Sequence, residues 1–376
     1  MSAETVLTGA RLVLDDAVVA GSLVIRDGRI AMVDAGASAL AGAIDCEGDF
    51  LLPGLIDLHT DNLERQVEPR THARWPARSA MLAHDAQCVA AGITTVCDAL
   101  CLGDLGFDKD RVRTFRDGVA EGDALYRAGL LRADHRLHLR CEVPAEDMLD
   151  LFDTVARHPR LAMASLMDHT PGEGQYADLD RYRALRRAGG MEPAAIERLI
   201  ATLQANRARL AGPNRRALLD RLAGRRIAVA SHDDRTEAEV AANAADGITV
   251  SEFPVTAAAA RAARRVGMRV IAGAPNLVRG GSHAGNVAVA ELLAAGLADA
   301  LASDYVPVSL LDATFHPLAG PLPAAVGRVA AAPAALLGLA DRGRIAPGLR
   351  ADLARVGVFE GQPVVRAVFV AGERVG

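Results

Sequence analysis

Lysine is all but missing from this chain. Lys109 is the only one, so the cationic surface is built from arginine. Aromatic residues make up only 3% although hydrophobic residues reach 51%, so the core has to be assembled from Ala, Val, Leu and Ile. No apolar run approaches the ~18 residues of a membrane span, and Met1-Ser-Ala-Glu does not open a signal peptide. The five cysteines, Cys46, Cys88, Cys97, Cys101 and Cys141, form no disulfide framework, and the Cys97/Cys101 spacing is too little for a zinc site. A formal net charge of −5 leaves no basic footprint, which argues against a nucleic-acid partner. Together these absences predict a cytoplasmic protein with no membrane partner.

What is present begins with length and rhythm. At 376 residues the chain suits a (β/α)8 TIM barrel with an addition. Both ends are β-rich. Thr5 to Leu14 alternates as a half-buried strand does, and Asp27-Gly28 sits between two β-rich runs as a hairpin signal. The C-terminal end answers with Leu353, then Val364 to Val370 and a turn at Ala371-Gly372. Residues 1–50 and 346–376 are therefore expected to form one small β-sandwich, and residues 51–345 a catalytic barrel. From Leu51 onward short apolar strands alternate with helical stretches, the signature of a parallel α/β sheet. Eight strands are expected, at about 51–59, 93–98, 137–142, 161–168, 227–232, 248–252, 269–273 and 300–304. Residues 178–226 read as an Arg- and Ala-rich helical insertion packed on the barrel, with a lid or dimer surface as alternatives.

The strand ends are unusually polar. His59 and Asp61 are two apart and share a face, with Asp57 one step deeper on it. Later tips carry Asp98, Glu142, Asp168 and His169, His232 and Asp233, Glu252 and Asp304. In a barrel these tips converge on one end, where catalytic residues sit. Parity directs His138, Arg140 and Glu142 towards the lumen and Leu137, Leu139 and Cys141 towards the helices. His232 stands above Ala228 and Ala230, and Asp304 above Ala300 and Ala302; small residues there leave room for ions. His59, Asp61, Glu142, His169, His232 and Asp304 make a nitrogen-and-oxygen ligand set for one or two divalent cations, and Zn, Mn and Fe(II) all fit it. The plain alternative for any one tip is a buried His bonded to a carboxylate.

A His–carboxylate pair on the first strand, further His on later strands and Asp304 on the last resemble the amidohydrolase superfamily. Two departures stand out. The usual His-x-His is here His59-Thr60-Asp61, and no lysine is placed to bridge two metals, which leaves Glu142 for that role. The superfamily's later His pair falls on strands five and six, whereas His169 and His232 count onto four and five. A narrower resemblance comes from Pro53-Gly-Leu-Ile-Asp-Leu-His-Thr-Asp-Asn-Leu-Glu64, Glu68-Pro-Arg70, Arg74-Trp-Pro76, Ala274 to Asn286 and Leu301 to Pro307. These are similar to the diphosphatase family of the carbon–phosphorus lyase pathway. That resemblance implies hydrolysis of α-D-ribose 1-methylphosphonate 5-triphosphate to the 5-phosphate and pyrophosphate, two metal ions, and a homo-oligomer as one option.

The residues offer their own support for a phosphorylated substrate. Arg65, Arg70, Arg74 and Arg78 crowd the loop after the first strand, and forked guanidinium groups suit phosphate oxygens. Arg279-Gly-Gly-Ser-His283 can aim Arg279, Ser282 and backbone N–H groups at an anion. The alternatives are solvated arginines paired with Glu64 and Glu68, and a simple turn at Gly280-Gly281. Asp304 is expected to accept the proton of the attacking water, with His283 or His316 as proton donor or phosphate ligand. His72, His84, His135, His138 and His158 are read as structural or exposed. The competing functions are a hydrolase of cyclic amide, N-acyl or deaminable substrates, and a non-enzymatic assembly protein.

Overall fold

The computed structural model describes residues 4–70, 73–103, 105–106, 110–282 and 285–376. Two eight-stranded sheets organise it. The first is built from both ends of the chain: β1 (Glu4–Val13), β2 (Val18–Arg26), β3 (Arg29–Ala35), β4 (Ile44–Asp45) and β5 (Phe50–Pro53), then β14 (Leu353–Phe359), β15 (Gln362–Val370) and β16 (Glu373–Arg374). The expected hairpin closes as β2–β3, with Arg26 opposite Arg29. Asp27 and Gly28 between them have φ of 51° and 75°, the two left-handed positions of a type I′ turn. Strand β5 joins the halves, parallel to β1 and antiparallel to β14. Leu7, Leu12, Leu23, Ile25, Leu51, Leu353 and Phe369 pack into one core inside this curved sheet.

The second sheet is wholly parallel: β6 (Leu55–Thr60), β7 (Ile93–Leu102), β8 (Asp134–Glu142), β9 (Leu161–Met167), β10 (Ala228–His232), β11 (Val250–Glu252), β12 (Arg269–Gly273) and β13 (Ala300–Ala302). A bridge between Thr60 and Asp304 closes it into a barrel. All eight expected strands are present. The first differs in extent, because the apolar run from Leu51 to Leu58 is not one strand. It breaks at Gly54, where a Cβ would overlap the Thr94 side chain, and its first half belongs to the terminal sheet.

Parity holds on the wall. Leu137, Leu139 and Cys141 pack outward against helical residues, while Met163, Ala228, Ala230, Val250, Ile271, Ala300 and Ala302 cluster with Leu58. The insertion forms two helices, Leu179–Ala188 and Pro193–Leu222. Asn214 fastens the longer one to the barrel rim by donating to the carbonyls of Val143 and Ala145 at 2.9 and 3.0 Å. Arg207 adds a contact to Asp168 at 2.6 Å.

Candidate metal centre and active-site pocket

The strand tips open into a cavity of about 570 Å³. His59, Asp61, Arg140, His169, His232, Asp233 and Asp304 line it, together with Arg111, Tyr176, Phe253, Arg279, Ser282 and Tyr305 among others. Two triads of ligating atoms lie within it: His59, Asp61 and Asp304 form one, and His169, His232 and Asp233 the other. Each rests on backbone geometry. Asp304 donates its N–H to the His59 carbonyl at 2.9 Å, and its own carbonyl accepts from Asp61 N–H at 2.7 Å, so the closing bridge of the barrel assembles the first triad. Asp57 braces the same junction from below, accepting from the backbone N–H groups of Ser303 and His59 at 3.0 and 3.3 Å. Burial raises Asp57 to about 6 despite those bonds. Asp233, Phe253 and Asp304 all have left-handed φ, between 53° and 57°. They stand at the tips of β10, β11 and β13, where the chain turns sharply off the barrel wall.

Beneath the cavity two carboxylates hold the imidazoles. Glu252, wholly buried, lies 3.0 Å from Nδ1 of His59 and 2.7 Å from Nδ1 of His232. Glu142, equally buried, holds Nδ1 of His169. It does not line the cavity, and its carboxylate lies against His169 Nδ1 and the His169 backbone N–H. His138 is also below the floor, donating from Nδ1 to the Leu58 carbonyl at 2.9 Å, and burial lowers it to about 4.

The electrostatics follow from this crowding. Burial pulls the His59 imidazolium down, but Glu252 and Asp61 more than reverse that and raise it to about 10. Burial pushes the Asp61 carboxyl up, yet Arg140, 2.6 Å away, together with His59 holds it well below the usual range. Burial and the neighbouring Asp61 charge raise Asp304 to about 6. One atom is left over. Asp233 Oδ2 is buried with no hydrogen-bond partner, at 3.9 and 3.7 Å from Nε2 of His169 and His232. A cation between these three atoms would satisfy all of them, so the donor set fits a divalent metal.

Other expected residues lie elsewhere. Arg74 turns outward to Asp117 at 2.8 Å and Thr114 at 3.2 Å, and Arg78 to Glu121 at 2.6 Å; both brace the helix Arg111–Arg127 and neither lines the cavity. Arg70 is exposed and also outside the cavity lining. Arg65 reaches back to the Tyr305 carbonyl at 2.7 Å. His316 caps a short 3₁₀ turn by accepting from Leu318 N–H. His283, His72 and Lys109 lie outside the described residues. Conversely, Arg111, Arg140, Asp233 and Glu252 belong to the site although none stood in the expected set. Glu252 and Asp233 were legible as polar tips, and Arg140 as lumen-facing by parity. Arg111 opens the helix after β7 and left no signal.

Of the other two groups, His59, His138 and Glu252 lie beneath the cavity floor, while His84, Asp98 and His135 sit outside the barrel wall and form a set complete in itself. Asp98 accepts from His84 at 2.7 Å and from His135 at 3.0 Å; His135 also reaches Asp85 at 3.2 Å, and Asn62 lies 3.0 Å from His84 Nδ1. Every ring nitrogen has a partner, as the structural reading of His84 and His135 requires.

No protein-family model matches the chain. A solved amidohydrolase, 16% identical, superposes with a TM-score of 0.63 over 99% of both chains. The 5-methylcytosine deaminase from Klebsiella pneumoniae, solved with phosphonocytosine and also 16% identical, gives 0.61 over 99% of this chain and 98% of that one. Barrel, terminal sheet and polar strand tips are thus the fold that this chain shares with these solved amidohydrolase and deaminase structures. Sequence narrows the placement. The chain is 44% identical over 354 residues, 93% of its length and 94% of the relative's, to alpha-D-ribose 1-methylphosphonate 5-triphosphate diphosphatase of Escherichia coli (strain K12). It belongs to that diphosphatase family.

Proposed function

We propose that this protein hydrolyses α-D-ribose 1-methylphosphonate 5-triphosphate to α-D-ribose 1-methylphosphonate 5-phosphate and pyrophosphate. The observation that carries the reading is 44% identity to an enzyme of that activity across nearly the whole chain. The pocket supports it. Arg111 opens the helix between the second and third barrel strands and Arg140 lies on the third, whereas Arg279 follows the seventh. In an eight-stranded barrel those positions face each other across the strand-tip triads. Cations on both sides suit a substrate with a triphosphate at one end and a phosphonate at the other. A neutral cyclic amide would have no use for Arg279 at the cavity mouth.

His59, Asp61 and Asp304 would hold one divalent ion and His169, His232 and Asp233 a second; Zn, Mn and Fe(II) are all compatible with the ligands. When bound, such ions supply Lewis acidity towards water and phosphoryl oxygen. Asp304, raised towards neutrality by burial and Asp61, takes the proton of the attacking water. The water oxygen bonds to phosphorus as the bridging P–O bond of the α–β anhydride breaks, and pyrophosphate leaves. Arg111, Arg279 and Ser282 contact the phosphoryl and phosphonate oxygens, while Arg140 keeps Asp61 ionised and in place. The five cysteines are buried and unpaired, which supports a cytoplasmic setting.

The test follows 31P resonances of metal-reconstituted protein with the triphosphate substrate. Pyrophosphate should appear with the 5-phosphate, and Asp304→Asn should abolish turnover while the protein stays folded. Release of inorganic phosphate in place of pyrophosphate would refute the reading, as would no turnover by metal-loaded protein.

A further inference from the structure

The two triads share one support. Glu252 sits at the tip of β11 with no exposed surface. Its Oε1 is 3.0 Å from His59 Nδ1, and its Oε2 is 2.7 Å from His232 Nδ1 and 2.9 Å from the Ser165 hydroxyl, which donates to it. His59 belongs to one triad and His232 to the other. The opposite nitrogen of each ring faces the cavity carboxylates: His59 Nε2 lies 3.3 Å from Asp61, and His232 Nε2 lies 3.7 Å from Asp233.

We infer that Glu252 is a positioning residue that sets the tautomer of one imidazole in each half of the centre, so that both halves bind metal only while this carboxylate accepts from both rings. The inference rests on the metal-centre reading above. A carboxylate has two acceptor oxygens and no donor. Each imidazole must therefore carry its proton on Nδ1, which leaves the Nε2 lone pair of both rings for a cation. The two rings come from β6 and β10, on opposite sides of the barrel, and lie 5.9 Å apart, centroid to centroid. The β11 tip is where a single buried group touches both. Glu142 performs the same service for His169 alone.

An amide cannot replace this carboxylate. In Glu252→Gln only one side of the head group accepts. The imidazole facing the amide nitrogen has to turn its Nδ1 into an acceptor, which moves its proton to Nε2 and blocks that nitrogen as a ligand. The size and shape of the side chain barely change, so the loss is chemical and falls on one half-site.

The experiment measures metal content and affinity, by elemental analysis and calorimetric zinc titration of metal-stripped protein. Wild type is expected to bind two ions and Glu252→Gln one, or to bind the second on the order of 10–100-fold more weakly. Ser165→Ala removes a neighbour of Glu252 but neither imidazole bond, and should keep both ions. Two ions bound by Glu252→Gln with wild-type affinity would overturn the inference. A wild type that binds no ion would instead overturn the metal-centre reading. If the variant does not fold, 15N spectra of histidine-labelled, zinc-loaded wild type decide: His59 and His232 must show a protonated Nδ1 and a liganded Nε2. The reverse assignment for either ring refutes the role of Glu252.

Discussion

A charged side chain declares its type in the sequence but not its partner. The arginines make this concrete. Arg74 lies in a loop that looks like a phosphate cradle, yet its guanidinium is spent on Asp117 and Thr114. Arg279, in a glycine-rich loop of equal promise, does line the cavity. Their substitutions should separate accordingly. Arg279→Met is expected to lower kcat/KM about 10–100-fold, largely through KM, as the loss of a charge-assisted bond worth about 1.5–3 kcal/mol implies. Arg74→Met should leave KM near wild type and cost at most ~1 kcal/mol of stability, since a partly exposed ion pair is worth little. Steady-state kinetics beside thermal melts check both, and a KM effect for Arg74→Met would return that residue to the site. Asp233 teaches a different lesson. Alternation along an extended strand points consecutive side chains to opposite faces, so His232 and Asp233 should not both reach the pocket. They do, because Asp233 is left-handed with φ of 57°, a turn that parity does not anticipate.

At the scale of elements, strand number and order were legible because buried parallel strands are continuous apolar runs separated by helical stretches. Where one run holds two strands the pattern is silent. Leu51-Leu-Pro-Gly-Leu-Ile passes from the terminal sheet to the barrel at Gly54 without a polar interruption, and what divides it is contact with Thr94, 40 positions away in the chain. Gly54→Ala should therefore destabilise by about 1–3 kcal/mol through overpacking, and Thr94→Ala in the same chain should recover part of that loss. Denaturant melts of the two single variants and the double variant measure the coupling; strictly additive effects would mean that Gly54 is needed for its backbone and not for the space. The insertion of residues 178–226 forms the expected helices. Its fastening through Asn214 to two carbonyls of the β8 loop depends on tertiary placement.

Across the whole molecule, the His84–Asp98–His135 network ties the helix Ala77–Ala90 to β7 and β8 and links stability to pH. Burial would lower His135, but Asp98 and Asp85 raise it to about 9. A raised pKa means that the stabilisation is complete below the ordinary histidine value and is lost as pH climbs through about 9. Burial pushes Asp98 and Asp85 up, yet the histidines hold both below the usual range. Their contribution is therefore complete above the ordinary carboxylate value and is lost on acidification. The gap in Tm between wild type and His135→Asn should accordingly shrink from pH 6 to pH 10, by an amount on the order of 3 kcal/mol in stability. A gap that stays constant over that range would mean His135 is not held as a cation.

The sequence by itself determined the barrel, the paired β-rich ends and the family. Apolar periodicity and long local motifs survive without coordinates, because they depend on neighbours in the chain. It also named five of the six residues that form the two triads: His59, Asp61, His169, His232 and Asp304. Only the tertiary structure decided that Asp233 completes the second triad, that Glu142 stands behind His169, and that Glu252 supports a ring in each half. Those assignments turn on which of two ring nitrogens meets which carboxylate oxygen. That is a matter of a few ångströms between strands far apart in sequence, and it is settled by the closure of the barrel.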